Sequence, residues 1–531
     1  MNFLLESLKN LNPIHNFKLL NKNIRNDILA GITVAIIALP LALAFGEVSG
    51  LGPEAGIIGA IFGGFLGGLF GGCNVSVSGP TAPTATQIAA LMVIFSNQDG
   101  QPDLVAIFTI IFLSGLLMVI FSLMKIAKYI HYIPYSVVAG FMCGIGLIII
   151  FDQTKYLFDN QSFNEIGIIF LPSLIIMLFW DSFKKNIRFF KNIPAPVFAL
   201  LFGTIIVFLM DLETISIGDK MLNNKNSIFN FYIPDFDRLS SFLSPAFAIA
   251  GLVIIDSLLT CLISDNMIGI RHISSREVFG QGLANMLSGF FGGTTTATAT
   301  MFTVSNIKFG AKTPLSSIIY AITLLGILLG LKSLVSIIPI SCIAAILFKV
   351  GIDIMDYRVL PILRRLPIID LTVFVIVILI TVFYNLMTAV LIGVIFSTLG
   401  SIKFINSRQE HKINSFDKEY GIKNQKANST IVLKPRGALF FGSIEPLIKL
   451  YHSTEKHKIL IINMNEITNI DLSGLYAIED IISRAKIYNR KVFIYGINQN
   501  IKRDLKKLNF IQNLGKENYF ESEEDIISKI K

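Results

Sequence analysis

Charge is scarce in this chain. Only 15% of its 531 residues are Asp, Glu, Lys or Arg, whereas 53% are hydrophobic. A soluble domain does not carry that ratio, because a single globular core stops growing beyond about 250–300 residues. Cysteine is scarce too. Cys73, Cys143, Cys261 and Cys342 all lie in apolar segments, and none belongs to a CxxC pair. This argues against a disulfide framework or a zinc site and leaves cysteine as a small apolar packing residue. The first 27 residues are polar and basic, without the apolar region and small-residue cleavage site of a signal peptide. The net charge of +9 is not a nucleic-acid signal. The basic residues sit mainly in loops and in the tail, where a membrane protein carries them on its cytoplasmic side.

What the chain does have is long apolar runs. They recur from Ile28 to about Ser401 and then stop. Runs of about 18 or more apolar residues read as membrane-spanning helices. About fourteen such segments precede residue 403. Basic clusters set their direction. Lys18, Lys22 and Arg25 precede the first span; Lys125 and Lys128 follow the fourth. Lys184, Lys185, Arg188 and Lys191 follow the sixth, and Arg271 and Arg276 the eighth. Arg358, Arg364 and Arg365 follow the twelfth, and Lys403 the last. All fall on one side of an even-numbered scheme, which makes that side, and both termini, cytoplasmic. The expected location is the cell's inner membrane. The polar loop from Asp211 to Leu239 falls outside.

Two segments are broken: VSVSGPTAPTATQIAALMVIF from Val75 to Phe95, and GFFGGTTTATATMFTVSNIKFG from Gly289 to Gly310. Each opens as a Gly/Pro/Thr/Ser stretch and turns helical only in its second part. Unpaired backbone at membrane depth survives only where it lines a cavity or is satisfied by protein or ligand. Paired interruptions in two halves of a chain point to a transporter's central site. A shift of about 216 residues lays Thr84 on Thr300 and Pro40 on Asp256. With an odd number of spans per half, the second half is inverted, and the two short helices meet N-terminus to N-terminus. Each N-terminus offers free N–H groups and about half a positive charge, an anion site made of backbone. Close packing of small residues is the plainer reading of glycine alone. The threonines and serines, in both segments, favour the site.

Asp256 lies near the middle of AFAIAGLVIIDSLLTCLISDNMIG, the eighth span. An ionisable residue at that depth is a functional candidate by default. Thr260 follows four residues later, on the same helical face. A carboxylate with a hydroxyl suits a sodium ion; Asp256 also suits a proton. Asp265 reads as interfacial, and Glu47 and Glu54 flank the outer end of the first hairpin. No Arg or Lys occurs from Gly289 to Asn306. Two helix ends offset an anion only partly, so a cation held by Asp256 completes the balance. That predicts symport.

Composition changes near Ser401. Residues 404–429 read as a polar linker, and the rest as a small α/β domain. TIVLKPRGALFFG gives two short strands with a turn at Lys434–Gly437, KILIINM and KVFIYGI give strands, and DLSGLYAIEDIISRAKIYN and NQNIKRDLKKLNF give helices. The domain shows neither a glycine-rich phosphate loop nor a nucleophile beside a base. Regulation or assembly is favoured over catalysis, and the protein is not expected to be an enzyme.

These motifs together resemble the sulfate permease (SulP) family of anion transporters over nearly the whole chain. SGPTAPTAT at Ser78–Thr86 resembles its third-helix signature. IDSLLTCLISDNM at Ile255–Met267 and EVFGQGLANMLSGFFGG at Glu277–Gly293 resemble its second-half signature. NIDLSGLYAI at Asn469–Ile478 resembles the STAS domain, the sulfate transporter and anti-sigma antagonist module. The resemblance implies about fourteen helices as two inverted repeats of seven, split into core and gate. It also implies a homodimer, an elevator-like motion and a cytoplasmic STAS domain open to a regulatory ligand or protein. The divisions are then 1–27 as N-terminal segment, 28–403 as transporter, 404–429 as linker and 430–531 as STAS domain.

Within the family, the Asp256–Thr260 spacing resembles the sodium-dependent bicarbonate transporters of cyanobacteria. That implies an anion held by Thr81, Thr84, Ala299 and Thr300. It implies sodium held by Asp256, Thr260, Thr300 and Phe302, the last through its backbone only. Phe302 departs from the pattern, standing where that branch carries a small residue. Proton-coupled sulfate or dicarboxylate branches carry Glu at the Asp256 position or Arg at the Phe302 position. Those branches are the alternative reading, ahead of a channel, a motor-type protein or a membrane scaffold signalling through its tail. Ser473 matches the position phosphorylated in anti-sigma antagonists; a structural helix-start serine is the plainer reading.

Overall fold

The computed structural model describes residues 13–96, 101–125, 134–160, 166–183, 195–210, 231–268, 270–330, 337–355, 366–384, 386–405, 411–416, 429–452, 457–487, 489–498, 518–520 and 522–530, with positions 212, 214–216, 218 and 363 between them. Lys128, Lys184, Lys185, Arg188, Lys191, Arg358, Arg364 and Arg365 lie outside the described residues. So do residues 1–12, most of 404–429 and most of the helix expected at Asn498–Phe510. The chain forms two units, residues 1–130 with 145–354, and residues 131–144 with 355–531.

The first unit is helical apart from two very short strands. In chain order its elements are α1 (Ile14–Leu19), α2 (Ile24–Val48), α3 (Pro53–Phe70), β1 (Ser78–Gly79), α4 (Ala82–Ile94) and α5 (Leu104–Leu123). Then come α6 (Tyr135–Asn160, which begins in the second unit), α7 (Leu171–Phe183), α8 (Ala195–Met210) and α9 (Leu239–Ile268). The last are α10 (Ser274–Phe290), β2 (Ala297–Thr298), α11 (Thr300–Lys308), α12 (Leu315–Gly330) and α13 (Ile340–Ile354). Among the described residues, α2, α3, α5, α6 and α9 are long and apolar enough to cross a membrane. Large apolar side chains stand exposed on these and the shorter helices, among them Val93, Ile205 and Phe208. Water would penalise that surface, and lipid accepts it.

Close approach inside this unit depends on glycine. A Cβ on Gly56 would stand 1.9 Å from the Ala42 carbonyl oxygen of α2, and one on Gly63 would stand 2.1 Å from Thr296 Oγ1. The glycine spacing of α3 thus lets a neighbouring helix and the approach to β2 lie against its backbone. Helix α10 is the exception to the apolar rule. Its residues Glu277, Gln281, Asn285 and Ser288 are each fully buried, although they are among the residue types that bury least. Their spacing of four, four and three places them on one face.

The second unit contains α14 (Ile368–Phe383), α15 (Leu386–Ile405) and an α/β domain. That domain comprises β3 (Lys412–Ser415), β4 (Thr430–Lys434), β5 (Gly437–Leu439), α16 (Phe441–His452), β6 (Ile459–Asn463), β7 (Ile467–Ile470), α17 (Leu472–Ile487), β8 (Lys491–Tyr495), β9 (Tyr519–Phe520) and α18 (Glu523–Ile530). The main sheet runs β3-β4-β6-β8-β9, parallel except at β3. Its apolar strands are buried on both faces, as parallel sheets require. Leu433, Leu460, Ile462 and Ile494 enter one cluster, and the alternate residues Val432, Ile461, Phe493 and Tyr495 enter another. Strand β3 falls in the stretch read as linker; it pairs antiparallel with β4. The two strands read from TIVLKPRGALFFG form, but β5 leaves the main sheet and pairs with β7. In the same unit the Tyr135 N–H donates to Ser473 Oγ at 3.0 Å, and the Tyr135 and Tyr476 rings lie 4.5 Å apart. Ser473, buried at the start of α17, thereby caps the first turn of α6 from another part of the chain.

Candidate functional site

The two broken segments fold as a strand followed by a short helix, twice. Strands β1 and β2 pair antiparallel, Ser78 with Thr298 and Gly79 with Ala297. The pairing sends α4 and α11 away from a common point with their N-termini near the crossing. Proline and the β-branched threonines resist helix on the strand side of each break.

The two helix starts differ. Thr81 caps α4 and closes a capping box with Thr84. The Thr84 hydroxyl donates to the Thr81 carbonyl at 2.9 Å and accepts the Thr81 N–H at 3.2 Å. Thr84 is therefore spent on the cap rather than aimed outward. Pro83 supplies no N–H, which leaves Ala82 as the available donor of that turn. At α11 the cap is Ala299, whose N–H donates to the Val77 carbonyl at 3.0 Å. The N–H groups of Thr300, Met301 and Phe302 form its first turn and have no partner within the helix. This end is the richer in backbone donors. The first helical residues are Ala82 and Thr300, so Thr300 corresponds to Ala82 rather than to Thr84.

Helix α9 joins the two starts. Thr81 faces the Asp256 carboxyl group. One turn along, Thr260 Oγ1 lies 2.7 Å from Thr300 Oγ1. Between them Ser257 Oγ accepts the Thr298 N–H at 3.0 Å. Asp256 Oδ2 is buried and accepts no hydrogen bond. A buried carboxylate oxygen without a donor is costly, and a bound cation or a proton would relieve it. One carboxylate with threonine hydroxyls is a hard-oxygen donor set of the kind an alkali cation takes.

Six predicted residues therefore converge: Thr81, Thr84, Asp256, Thr260, Ala299 and Thr300. Phe302 does not join them as expected. It is the third residue of α11, so its carbonyl points along the helix, away from the cap. Its ring is buried, and a Cβ on Gly79 would stand 3.0 Å from it. Phe302 offers the site an N–H, not an oxygen ligand. Asp265, read as interfacial, is buried; it accepts the His272 N–H at 2.9 Å and pairs with His272 Nδ1 at 2.8 Å.

Sequence reading missed the polar face of α10. Glu277 accepts the N–H groups of Gly72 and Cys73 at 2.9 and 3.0 Å through Oε2, and the Thr298 hydroxyl at 2.5 Å through Oε1. Gln281 Nε2 donates to Ser78 Oγ at 2.6 Å and to Thr298 Oγ1 at 2.9 Å. Asn285 accepts the Thr296 N–H at 2.9 Å and donates to the Thr296 carbonyl at 2.8 Å. Ser288 donates to the Thr294 carbonyl at 2.6 Å. The available signal was the four-residue spacing of amide and acid side chains within EVFGQGLANMLSG.

Known proteins resemble the whole of this architecture. The sulfate permease family matches residues 24–171 and 166–378, and the STAS domain matches residues 422–526. The bicarbonate transporter BicA of Picosynechococcus sp. is 31% identical, across 95% of this chain and 94% of its own. The chloroplastic sulfate transporter 4.1 of Arabidopsis thaliana is 22% identical, across 93% of this chain and 78% of its own. The solved transmembrane domain of a cyanobacterial BicA superposes with a TM-score of 0.60 at 33% identity, covering 71% of this chain and 98% of that one.

Proposed function

The chain belongs to the sulfate permease family of anion transporters, and from that premise we propose that it takes up bicarbonate together with sodium. The observation that carries this reading is the contact of one α9 face with both helix starts, through Asp256 beside Thr81 and Thr260 beside Thr300. The anion sits between Thr81 and the Ala299–Thr300 turn. It accepts hydrogen bonds from the α11 N–H groups, with Thr84 holding Thr81 in place. Sodium sits at Asp256, Thr260 and Thr300. Its charge offsets the repulsion between Asp256 and the anion, so each ion favours the binding of the other. Phe302 stays outside the sodium shell and adds its N–H to the anion side.

The same reading places the protein in the inner membrane with both termini cytoplasmic, as a homodimer whose core moves like an elevator against its gate. The STAS domain then serves as a cytoplasmic regulatory module, and the divisions at 28–403 and 430–531 separate transport from regulation. Uptake of labelled bicarbonate, sulfate and succinate into proteoliposomes tests the proposal, with sodium replaced by choline at fixed pH. Saturable bicarbonate uptake that falls in choline is expected. Unchanged uptake in choline sinks the coupling. Uptake of sulfate or succinate driven by a proton gradient favours the other branch, with Asp256 carrying the proton.

A further inference from the structure

Helix α10 stands in for a missing strand. Its contacts with the segment 294–298 fall on every second residue, at Thr294, Thr296 and Thr298. They are met in reverse order by Ser288, Asn285 and Gln281. Two residues of extended chain span about 6.6 Å, and one helical turn spans about 5.4 Å. Long amide side chains absorb the difference. An extended segment at membrane depth, which among the described residues has β1 as its strand neighbour, thus has its Thr294 carbonyl and both Thr296 backbone groups partnered by a helix.

Gln281 does more than its neighbours. Its amide nitrogen bonds Ser78 of β1 and Thr298 of β2 together. Ser78 lies three residues before the Thr81 cap, and Thr298 lies directly before the Ala299 cap. We infer that α10 is the positioning element for both helix starts, and that Gln281 sets the distance between them. Because the α9 face meets one start at Asp256 and the other at Thr260, a change in that distance weakens anion and cation binding together. The inference rests on the proposed transport site, and wild-type uptake tests that site separately.

The test uses the full-length protein in proteoliposomes with labelled bicarbonate and sodium. Gln281→Met keeps the side-chain length and removes both donors. The half-saturation concentrations for bicarbonate and for sodium are each expected to rise by about 10-fold or more, which is about 1.4 kcal/mol. The maximal rate per folded molecule should stay within about two-fold, since no ligand group is lost. A residue that merely stabilised the fold would lower the amount of active protein and leave both half-saturations unchanged; that result overturns the inference. If Gln281→Met does not fold, Ser78→Ala and Thr298→Val decide. Each removes one acceptor, and a rise in both half-saturations is expected. Wild-type values in both variants overturn the inference. Faster hydrogen exchange at residues 294–300 in Gln281→Met is expected whichever anion is carried, so failure of the bicarbonate reading is distinguishable from failure of this one.

Discussion

Replacing Asp256 by Asn keeps the shape of the side chain and removes its charge. In the wild type, Oδ2 is buried and accepts no hydrogen bond. A cation at about 4 Å from a carboxylate gains about 4 kcal/mol at an effective dielectric of about 20. At about 1.4 kcal/mol per tenfold, the sodium half-saturation should rise by as much as a thousandfold. The sign for the anion is opposite. Asp256 repels it, so bicarbonate binding without sodium should not weaken in Asp256→Asn and should tighten if repulsion outweighs the lost order. Sodium-dependence curves of uptake, run on protein matched for folded amount, read both effects. Thr260→Val removes one hydroxyl of the 2.7 Å pair with Thr300 and should raise the sodium half-saturation less, by about tenfold, the scale of one hydrogen-bonding partner. The double variant should be no worse than Asp256→Asn alone, because the two groups serve one ion. A folded Asp256→Asn protein with wild-type sodium dependence refutes the reasoning.

Other consequences are as direct. Burial works against charge on His272, but the Asp265 carboxylate outweighs it and holds the imidazole above the ordinary histidine range. A raised folded-state value adds stability that is full below the unfolded pKa of about 6.5 and is lost as pH rises through the folded value. Thermal unfolding should therefore show His272→Gln most damaging at low pH, with the gap closing as pH rises. Gly56→Ala places a Cβ 1.9 Å from the Ala42 carbonyl oxygen, which is backbone and cannot swing away. A loss of about 1–3 kcal/mol or more is expected, read as a lower Tm in detergent. Ser473→Ala removes the acceptor of the Tyr135 N–H, worth about 1 kcal/mol as a lost cap. Amide exchange at the start of α6 should quicken, and an unchanged rate would mean that the contact does not form in solution.

Much of the site was legible because its signals are local. Clustered glycine, proline and threonine disfavour helix through local backbone preference, so the irregular-then-helical form of 75–95 and 289–310 needed no knowledge of neighbours. Asp256 stood out because charge is rare in an apolar run, and its four-residue offset to Thr260 fixes a common face. Phe302 was misjudged because its chemistry depends on which turn of α11 it occupies. As the third residue of α11 it presents an N–H at the cap and sends its carbonyl along the helix. Glu277, Gln281, Asn285 and Ser288 carry no role that their spacing alone assigns. Periodicity says that four polar side chains share a face, but not what lies against it. Strand β3 was missed for the related reason that an edge strand is defined by its partner.

By itself the sequence determined that the chain spans a membrane, where two of its segments break and that Asp256 stands inside an apolar run. Those are consequences of hydropathy and backbone preference, which act over a few residues at a time. The tertiary structure alone decided that Ser78 meets Thr298, that Thr260 meets Thr300 and that Gln281 ties both strands. Most of these partners stand tens to hundreds of residues apart. Each is chosen by which faces can bury together without leaving a polar group unpaired, and that condition belongs to the whole fold rather than to any stretch of it.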